Sequence, residues 1–330
     1  MILITGATGF IGTRMAELFK ADGEELILLG RLGTEPETHR RDRLEMLGMT
    51  VHDVDLTEQN LVQYTDGVDS VIHLAAAQHE ANKPESYFDK VNVEGTRNLL
   101  DAAISNSVRR FVYGSTIGVY GNVAEPHIDD DFPAIPDNYY GRSKLRAEEV
   151  VLSRSDDIEV AIARISETYG PGDFRLLKLF AAIQKRIFFM IGNGVNLHQL
   201  VYVDDVVYGL REMATGDAAV GQTIVLAGDG VSTTLEMCDS VSRAVGIPLR
   251  RFRLPLWPFL TIAFLLEHTI GRMGIQPPLH RRRLDFFRKS LSFSSSGRNR
   301  FLEWKPRVSF GAGAVRTAKW YRDQAYLPPV

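Results

Sequence analysis

The chain opens with Met1-Ile-Leu-Ile-Thr-Gly-Ala-Thr-Gly-Phe-Ile-Gly12, the stretch that decides the fold. An apolar strand over residues 2–4 runs into Gly6-x-x-Gly9-x-x-Gly12, and residues 13–20 have the pattern of an amphipathic helix. In such a unit Gly6 permits a tight turn, Gly9 lets the backbone approach a pyrophosphate, and Gly12 lets helix and strand pack closely. The helix N-terminus presents free N–H groups and partial positive charge to the phosphates. The sequence therefore predicts a dinucleotide-binding site here.

The composition excludes several classes of protein. The 330 residues carry a formal net charge of −3, so we expect no nucleic-acid partner, and their number allows one sizeable core with a smaller lobe. The single cysteine, Cys238, excludes an internal disulfide and fits a reducing compartment. Because no basic segment precedes the opening strand as in a secretory signal, we expect a cytoplasmic location. No cluster of histidines and cysteines indicates a metal site.

One apolar run, residues 254–266, stands out in the second half of the chain. It is interrupted by Pro255 and Pro258 and is too short to span a bilayer. We expect it to form a buried helix or a substrate lid. The alternative is a shallow, peripheral membrane contact, because the basic cluster at residues 280–283 lies nearby in the sequence.

Strand-like and helical patterns alternate through the first half of the chain. Strands are predicted at residues 26–29, 50–54, 70–74, 110–113 and 160–164, and helices at residues 92–105 and 140–153. This alternation predicts an α/β fold, with a doubly wound parallel (Rossmann) sheet and helices on both faces. After about Gly170 the elements become shorter. We therefore expect a dinucleotide-binding domain over residues 1–170 and a mainly substrate-binding α/β lobe over residues 171–330, with some segments returning to the core.

The residues after the second and third strands bear on the choice of dinucleotide. Arg31 follows the second strand, where a carboxylate often binds the adenosine ribose, and the next carboxylate is Glu35. An arginine here can stack on adenine and pair with a 2′-phosphate, which slightly favours NADP over NAD unless Arg31 is only a solvated loop residue. Asp55, at the end of the third strand, can accept from the adenine amino group or cap the following helix. Leu74-Ala75-Ala76 closes the fourth strand with the small residues expected beside a cofactor.

The segment Tyr140-Gly-Arg-Ser-Lys144 predicts the chemistry of the site. Tyr140 and Lys144 are four residues apart and so lie on one face of a helix. A lysine ammonium lowers the pKa of a nearby phenol, which can then exchange a proton with a substrate oxygen while a hydride moves to or from nicotinamide. Upstream, the Ser115-Thr116 pair ends the fifth strand, where a hydroxyl can orient the same oxygen.

At these positions the chain resembles the extended short-chain dehydrogenase/reductase family. The resemblance covers nearly the whole chain, and its matching motifs are Thr5-Gly6-x-x-Gly9-Phe10-Ile11-Gly12, Asp55-Leu56, His73-Leu74-Ala75-Ala76, Asn92-x-x-Gly95-Thr96, Ser115-Thr116-x-x-Val-Tyr-Gly121, Tyr140-x-x-x-Lys144, Arg164-x-x-x-x-Tyr-Gly-Pro-Gly172, Val201-Tyr-Val-Asp-Asp205 and Trp304-Lys-Pro-Arg-Val308.

The resemblance implies roles for the matching residues. Thr116, Tyr140 and Lys144 would be the catalytic trio. The cofactor would be bound by Tyr140 and Lys144 together with Gly6, Gly9, Phe10, Ile11, Gly12, Arg31, Asp55, Leu56, Leu74, Ala75, Ala76, Asn92 and Ser115. Asn92 would lie on the helix that supports the cofactor pocket. The family also often dimerises through the helices that begin near Asn92 and Tyr140, so we expect a homodimer.

The chain departs from the sugar-nucleotide members of the family in several places. Dehydratases carry Thr-Asp-Glu where this chain has Thr116-Ile117-Gly118, so the extra proton shuttle for β-elimination is missing. Glu167 and His198 stand at predicted substrate-binding positions that hold asparagine and arginine in many sugar-nucleotide enzymes. A carboxylate near a diphosphate is repulsive, and a neutral histidine lacks the bidentate clamp of an arginine.

Three functions remain open at this point. The tail from Gln276 to Trp304 is closest in pattern to the 3β-hydroxysteroid dehydrogenase-like branch, so the leading hypothesis is an NAD(P)-dependent alcohol dehydrogenase or ketone reductase acting on a mainly apolar small molecule. The alternative is a nucleotide-sugar 4-epimerase with tightly bound NAD. A dinucleotide-binding sensor without chemistry is disfavoured by the Tyr140–Lys144 pair, because binding alone needs no tuned phenol.

Overall fold

A computed structural model describes residues 1–58, 60–78, 83–123, 126–129, 131–269, 279 and 284–329. Its centre is a seven-stranded sheet in which every neighbouring pair is parallel, in the order β12-β7-β5-β4-β1-β2-β3. These strands are β1 (Ile2–Thr5), β2 (Leu26–Gly30), β3 (Val51–Asp53), β4 (Ser70–His73), β5 (Arg110–Thr116), β7 (Glu159–Ile165) and β12 (Thr223–Leu226). The predicted doubly wound sheet is confirmed.

Helices cover both faces of this sheet, and further helices lie in the second half of the chain. They are α1 (Phe10–Ala21), α2 (Glu35–Met46), α3 (Val62–Thr65), α4 (Glu85–Asp89), α5 (Gly95–Ser105), α6 (Tyr139–Leu152), α7 (Leu177–Gln184), α8 (Val203–Thr215), α9 (Thr234–Val245), α10 (Leu256–His268), α11 (Ser296–Phe301) and α12 (Phe310–Asp323). Met15 of α1 and Leu210 of α8 are buried in one apolar layer. Leu99 of α5 and Ala147 of α6 are buried in the other. Burial on both faces explains why the strands read as continuous apolar runs.

The predicted helix at residues 92–105 begins earlier than its sequence pattern indicates. The helix starts with α4, continues through a π-helical turn at Lys90–Glu94, and ends with α5. Asn92 lies in that turn and is buried. Such turns are frequent at functional sites, and this one carries a buried polar side chain.

The second half of the chain contributes short strands and three packed helices. Two-residue strands pair as β8 (Thr168–Tyr169) with β11 (Val201–Tyr202), β9 (Met190–Ile191) with β14 (Arg253–Leu254), β10 (Leu197–His198) with β13 (Ser232–Thr233), and β6 (His127–Ile128) with β15 (Ser292–Phe293). α7, α9 and α12 share an apolar cluster that buries Cys238. Burial, together with Asp239, raises the pKa of the Cys238 thiol to about 12, so it stays protonated.

Of the two expectations for residues 254–266, the buried helix is wrong and the substrate lid stays a prediction. α10 forms there, but its only buried side chain is Ala263, and Trp257 is 70% exposed. Across the described residues, no helix combines the length and apolar character needed to cross a membrane. The basic cluster at residues 280–283 lies outside the described residues.

Candidate active site

The glycine turn has the geometry of a backbone cradle. Gly6 has φ of +68°, and the Gly9 N–H donates to the Gly6 carbonyl at 2.8 Å. A Cβ at Gly12 would lie 2.2 Å from the same carbonyl oxygen, and one at Gly6 would lie 2.8 Å from the Ala75 nitrogen. Side chains are therefore excluded here, and the residues present fit a dinucleotide that binds along bare backbone. Ala75 at the end of β4 closes one side of the cradle.

A turn from the second half of the chain lies across the cradle. The Arg40 guanidinium donates to the carbonyl of Thr8, 3.2 Å away, and to that of Gly172, 3.4 Å away. A Cβ at Gly172 would lie 3.3 Å from the Phe10 ring. Arg40 and Phe10 thus connect the Gly170-Pro171-Gly172 turn to the glycine loop. The sequence analysis missed Arg40, because a polar residue in the polar helix α2 gives no local signal of a partner 132 positions away.

At the predicted adenosine end, Arg31 and Asp55 face each other. Their side chains form an ion pair at 3.4 Å, with Arg31 55% exposed and Asp55 30% exposed. Asp55 also accepts from the Thr57 N–H at 2.9 Å. Partial burial acts to raise the pKa of the Asp55 carboxyl, but the Thr57 hydrogen bond and the Arg31 charge outweigh it, so the pKa is lowered. Asp55 therefore caps the turn after β3, and Arg31 is a paired rather than a free cation.

Lys144 is enclosed on the inner face of α6. It is 1% exposed, its Nζ donates to the Gly114 carbonyl at 2.7 Å, and Nζ lies 4.0 Å from the centre of the Tyr113 ring. Burial lowers the pKa of Lys144 to about 7, although the Glu148 carboxylate one turn away acts in the opposite direction. The Asn138 side chain caps α6 by accepting from the Gly141 N–H at 3.0 Å, which fixes the turn that carries Tyr140.

Thr116 and Tyr140 flank a position without a side chain. A Cβ at Gly118 would lie 3.4 Å from Thr116 Oγ1 and 4.0 Å from Tyr140 Cε1. Thr116 Oγ1 accepts from the Gly118 N–H at 3.1 Å, so its hydroxyl hydrogen can be donated to a substrate oxygen. The structure thus brings Thr116, Gly118 and Tyr140 together, and one helical turn on from Tyr140 lies Lys144.

Ser115 faces the interior instead. Its hydroxyl donates to the Glu148 carboxylate, which also receives the Arg164 guanidinium at 2.7 Å. Arg164 donates in turn to the Tyr120 hydroxyl at 3.1 Å. Ser115 is therefore part of a buried network beneath the site, whereas its neighbour Thr116 borders the site itself.

Asn92 connects three elements around the site. Its side-chain amide accepts from the Ala77 N–H at 2.7 Å and donates to the Ala77 carbonyl at 3.0 Å. Its amide nitrogen also donates to Ser143 Oγ at 2.9 Å, and Ser143 donates to the Tyr140 carbonyl at 2.9 Å. Asn92 thus fixes both the segment after β4 and the first turn of α6.

A second buried chain of hydrogen bonds runs through His73. Its Nδ1 lies 2.6 Å from Thr5 Oγ1, and its Nε2 lies 2.9 Å from Thr96 Oγ1. Thr96 donates onward to the Asn92 carbonyl, and Thr5 accepts from the Ala75 N–H, so all the bonds are satisfied when His73 is neutral and protonated on Nε2. Burial, aided by the charge of Lys144, lowers the pKa of His73 to about 3, consistent with the neutral form.

The two predicted substrate residues of the second half lie together. His198 Nδ1 is 3.5 Å from Glu167 Oε2, and the histidine is buried while 49% of the Glu167 side chain is exposed. Burial acts to raise the pKa of Glu167, but its interaction with His198 outweighs this and lowers the pKa. Glu167 therefore stays ionised, and its charge toward a diphosphate is offset only when His198 is protonated.

A cavity of about 250 Å³ opens where the loop after β5 meets the second half of the chain. It is lined by residues 121–123, Pro126 and residues 288–291, so the cationic side chains of Arg288 and Lys289 border it. Among the described residues, no group of three or more His, Cys, Asp and Glu side chains could hold a metal ion.

Comparison with known proteins finds similarity to enzymes whose names state sugars linked to a diphosphate. The chain is 27% identical to a dTDP-glucose 4,6-dehydratase of Streptomyces niveus, over all of this chain and 95% of that protein. It is 33% identical to an N-acetyl-alpha-D-glucosaminyl-diphospho-ditrans,octacis-undecaprenol 4-epimerase of Escherichia coli O157:H7, over 65% of this chain and 64% of that protein. The fold superposes with a TM-score of 0.77 on a Bacillus cereus UDP-glucuronic acid 4-epimerase in complex with NAD, at 21% identity over 99% of each chain.

These similarities confirm the resemblance to the extended short-chain dehydrogenase/reductase family. They do not support the narrower resemblance to one of its branches. The relatives act on sugars linked to a diphosphate, as their names state, and not on hydroxysteroids, so the expected closeness to the 3β-hydroxysteroid dehydrogenase-like branch is not supported. The superposed Bacillus cereus enzyme holds NAD, and in this chain Gly6 and Gly12 leave bare backbone that fits a dinucleotide. The model of the NAD dependent epimerase/dehydratase family matches residues 2–227, and the chain belongs to that family.

Proposed function

We propose that this chain is an NAD-dependent 4-epimerase that acts on a sugar whose anomeric oxygen carries a diphosphate. The observation that carries the proposal is that Thr116 and Tyr140 both lie beside the Cβ position of Gly118, with Lys144 buried one turn away. Bound NAD would supply the acceptor that takes a hydride from the sugar carbon and returns it in the same turnover.

The residues of the chain account for the proton that moves with the hydride. The Tyr140 phenolate accepts the proton of the sugar hydroxyl as the carbon loses its hydride and becomes a ketone. Thr116 donates a hydrogen bond to the same oxygen and holds it in place. When the hydride returns to the opposite face of the carbonyl, Tyr140 gives the proton back. Atoms and electrons balance, because only the configuration of the carbon changes.

Epimerisation fits the site better than dehydration does. The turn after β5 places Ile117, which is buried, and Gly118, which has no side chain, where an acid would have to assist loss of water. The buried carboxylate of α6, Glu148, is already bound by Ser115 and Arg164. A β-elimination needs a further proton donor for the leaving hydroxyl, and these residues do not supply one.

A diphosphate-linked sugar is favoured over a purely apolar substrate for two reasons. The relatives reported above act on such sugars, with either a nucleoside or a polyprenol as the carrier. A protonated His198, 3.5 Å from Glu167, would offset the carboxylate charge and reduce its repulsion of the diphosphate. NAD is favoured over NADP because Arg31 is paired with Asp55 and is not a free partner for a 2′-phosphate.

The decisive experiment is an epimerisation assay on the purified protein. It is incubated with UDP-glucose, UDP-N-acetylglucosamine, UDP-glucuronic acid and undecaprenyl diphosphate-linked N-acetylglucosamine, and the C4 epimers are separated and identified by NMR. We expect one of these sugars to be epimerised without added cofactor, and mass spectrometry of the purified protein to show retained NAD. Stoichiometric consumption of NADPH with an apolar ketone, without epimerisation, would overturn the proposal and favour the reductase.

A further inference from the structure

We propose that Glu148 and Arg164 are positioning residues that hold Thr116 at a fixed place relative to Tyr140. Their side chains form an ion pair beside residues 115–120, the end of β5 and the single helical turn that follows it. We call Glu148 and Arg164 the anchoring pair and residues 115–120 the β5 turn. The inference rests on the proposed function only where that function assigns Thr116 to the substrate oxygen.

The anchoring pair holds the β5 turn at both ends. At the start of the turn, the Ser115 hydroxyl donates to the Glu148 carboxylate. At its end, the Tyr120 hydroxyl accepts from Arg164 Nη1 at 3.1 Å, and the guanidinium lies 5.0 Å from the centre of the Tyr120 ring. Thr116 lies between these two ends, so its position depends on the pair as well as on the strand.

The geometry of the pair leaves it little freedom to move. Arg164 Nε donates to one carboxylate oxygen of Glu148 at 3.1 Å, and Nη2 donates to the other at 2.7 Å, so the guanidinium is held at two points. Arg164 of β7 lies opposite Ser115 of β5 in the parallel register, and both side chains bond to Glu148 of α6. Glu148 is 2% exposed, so water does not compete for these bonds.

Glu148 connects this network to the proton acceptor. Tyr140, Lys144 and Glu148 follow one another at intervals of four residues on α6 and so lie along one side of the helix. The helix that carries Tyr140 therefore also holds Ser115, the residue next to Thr116. The separation of the Thr116 and Tyr140 hydroxyls is thus set by one helix and one hydrogen-bonded pair.

A contribution to stability alone does not account for the anchoring pair. Removing two charges from water is costly, and an apolar pair of similar volume often gives equal or greater stability. A hydrogen-bonded ion pair instead favours one arrangement of its neighbours, because any other arrangement leaves a charge without its partner. Here the neighbours are the two ends of the β5 turn. A displacement of about 1 Å near a reacting atom can lower a rate about a hundredfold.

The anchoring is tested first by hydrogen exchange, which requires neither NAD nor a sugar. In Glu148→Gln, we expect the amides of residues 115–121 to exchange at least about tenfold faster, because a neutral amide replaces a charged acceptor. These amides include the Gly118 N–H, which donates to Thr116 Oγ1. Unchanged exchange in this segment would overturn the proposal, as would an equal acceleration in the remote helix α9.

Two further variants release one end of the β5 turn each without removing a charge. Ser115→Ala removes the bond to Glu148, and Tyr120→Phe removes the bond from Arg164. Each should accelerate exchange in residues 115–121 about threefold to tenfold. These variants keep the proposal testable if Glu148→Gln does not fold, and wild-type exchange in both would overturn it.

Glu159→Gln is the matched control. Glu159 accepts from the Nε of Arg110 at 2.8 Å, and Arg110 is fully buried. The two residues face each other at the start of β5 and β7, at the opposite end of the strands from the site. The same chemical change beside another enclosed arginine should therefore leave exchange in residues 115–121 and the turnover number unchanged.

The effect on chemistry is tested by a double-mutant cycle. Glu148→Gln should lower kcat about thirtyfold while NAD is retained. In a Thr116→Val background the same change should lower kcat less than about threefold, because the residue that it positions no longer donates a hydrogen bond. Equal losses in both backgrounds would show that the anchoring pair acts through the fold as a whole and would overturn the proposal. A ketone reductase would use Thr116 on its substrate oxygen in the same way, so the cycle is run on whichever reaction the wild type catalyses, and the epimerase and the anchoring can fail separately.

Discussion

The carboxyl edge of the central sheet and the outer face of α10 depart from the usual burial pattern in opposite directions. At the sheet edge, polar side chains such as Lys144, Asn92 and His73 are almost fully buried, and each has a defined partner. On α10, large apolar side chains such as Trp257 are exposed. Burial of polar groups and exposure of large apolar groups both reduce stability. Such arrangements are expected where a sequence is constrained by function. The comparison predicts that substitutions at the sheet edge change chemistry and stability, whereas substitutions of the exposed side chains of α10 leave both nearly unchanged.

The largest effect is expected for Tyr140→Phe. Loss of the phenol hydroxyl removes the proton acceptor, so turnover should fall by about a thousandfold, within the range for general acid–base groups. The fold and retention of NAD should be unchanged, which circular dichroism and mass spectrometry will check. Tyr139→Phe is the matched control, because Tyr139 is 47% exposed one residue earlier and should keep full activity. Unchanged turnover of Tyr140→Phe would show that Tyr140 is not the proton acceptor.

The next effect concerns stability at the same edge. Asn92→Ala leaves the N–H and carbonyl of Ala77 without their partner in a buried place, and we expect it to cost about 3 kcal/mol of unfolding free energy. Asn98→Ala is the control, since Asn98 makes one hydrogen bond, to the Leu56 carbonyl, and should cost about 1 kcal/mol. Urea unfolding followed by circular dichroism measures both. Equal losses of unfolding free energy in the two variants would show that burial of the Asn92 hydrogen bonds does not determine the cost.

A third prediction uses pH. His73 has its pKa lowered from 6.5 to about 3 by burial, so between these values the unfolded chain binds more protons than the folded one. Stability that is fully present above pH 6.5 is therefore lost as the pH falls, by about 2 kcal/mol at pH 5. His73→Gln should abolish this part of the pH dependence, whereas His39→Gln, at a side chain that is 71% exposed, should retain it. Identical pH profiles for wild type and His73→Gln would contradict a neutral, buried His73.

The smallest effect is expected on α10. Phe264→Ser should change the unfolding free energy by no more than about 0.5 kcal/mol, because the side chain contributes little to the core. Phe259→Ser on the inner face of the same helix should cost about 2 kcal/mol, because that ring packs on the cluster of Ile191 and Leu284. Thermal unfolding of the two variants gives the difference directly. A large loss for Phe264→Ser would mean that the contacts of this ring stabilise the fold despite its exposure.

The sequence predicted the local parts of this molecule well. The glycine turn and the Tyr140–Lys144 spacing depend on residues a few positions apart, whose geometry the backbone fixes. The Arg40 contacts with Thr8 and Gly172 join distant segments, and no local pattern indicates them. Which side chains of α10 are exposed was also not predicted. A largely apolar helix does not reveal from its sequence which side packs against the protein.

The Arg40 and Phe10 contacts with the Gly170-Pro171-Gly172 turn have a consequence for kinetics. An epimerase must return each hydride to the sugar it came from, so its dinucleotide has no need to exchange with the solution. A turn anchored across the glycine loop makes release of the dinucleotide depend on separation of two halves of the chain. The concentration of free NAD would then set what fraction of the protein is loaded, without setting how fast a loaded molecule works.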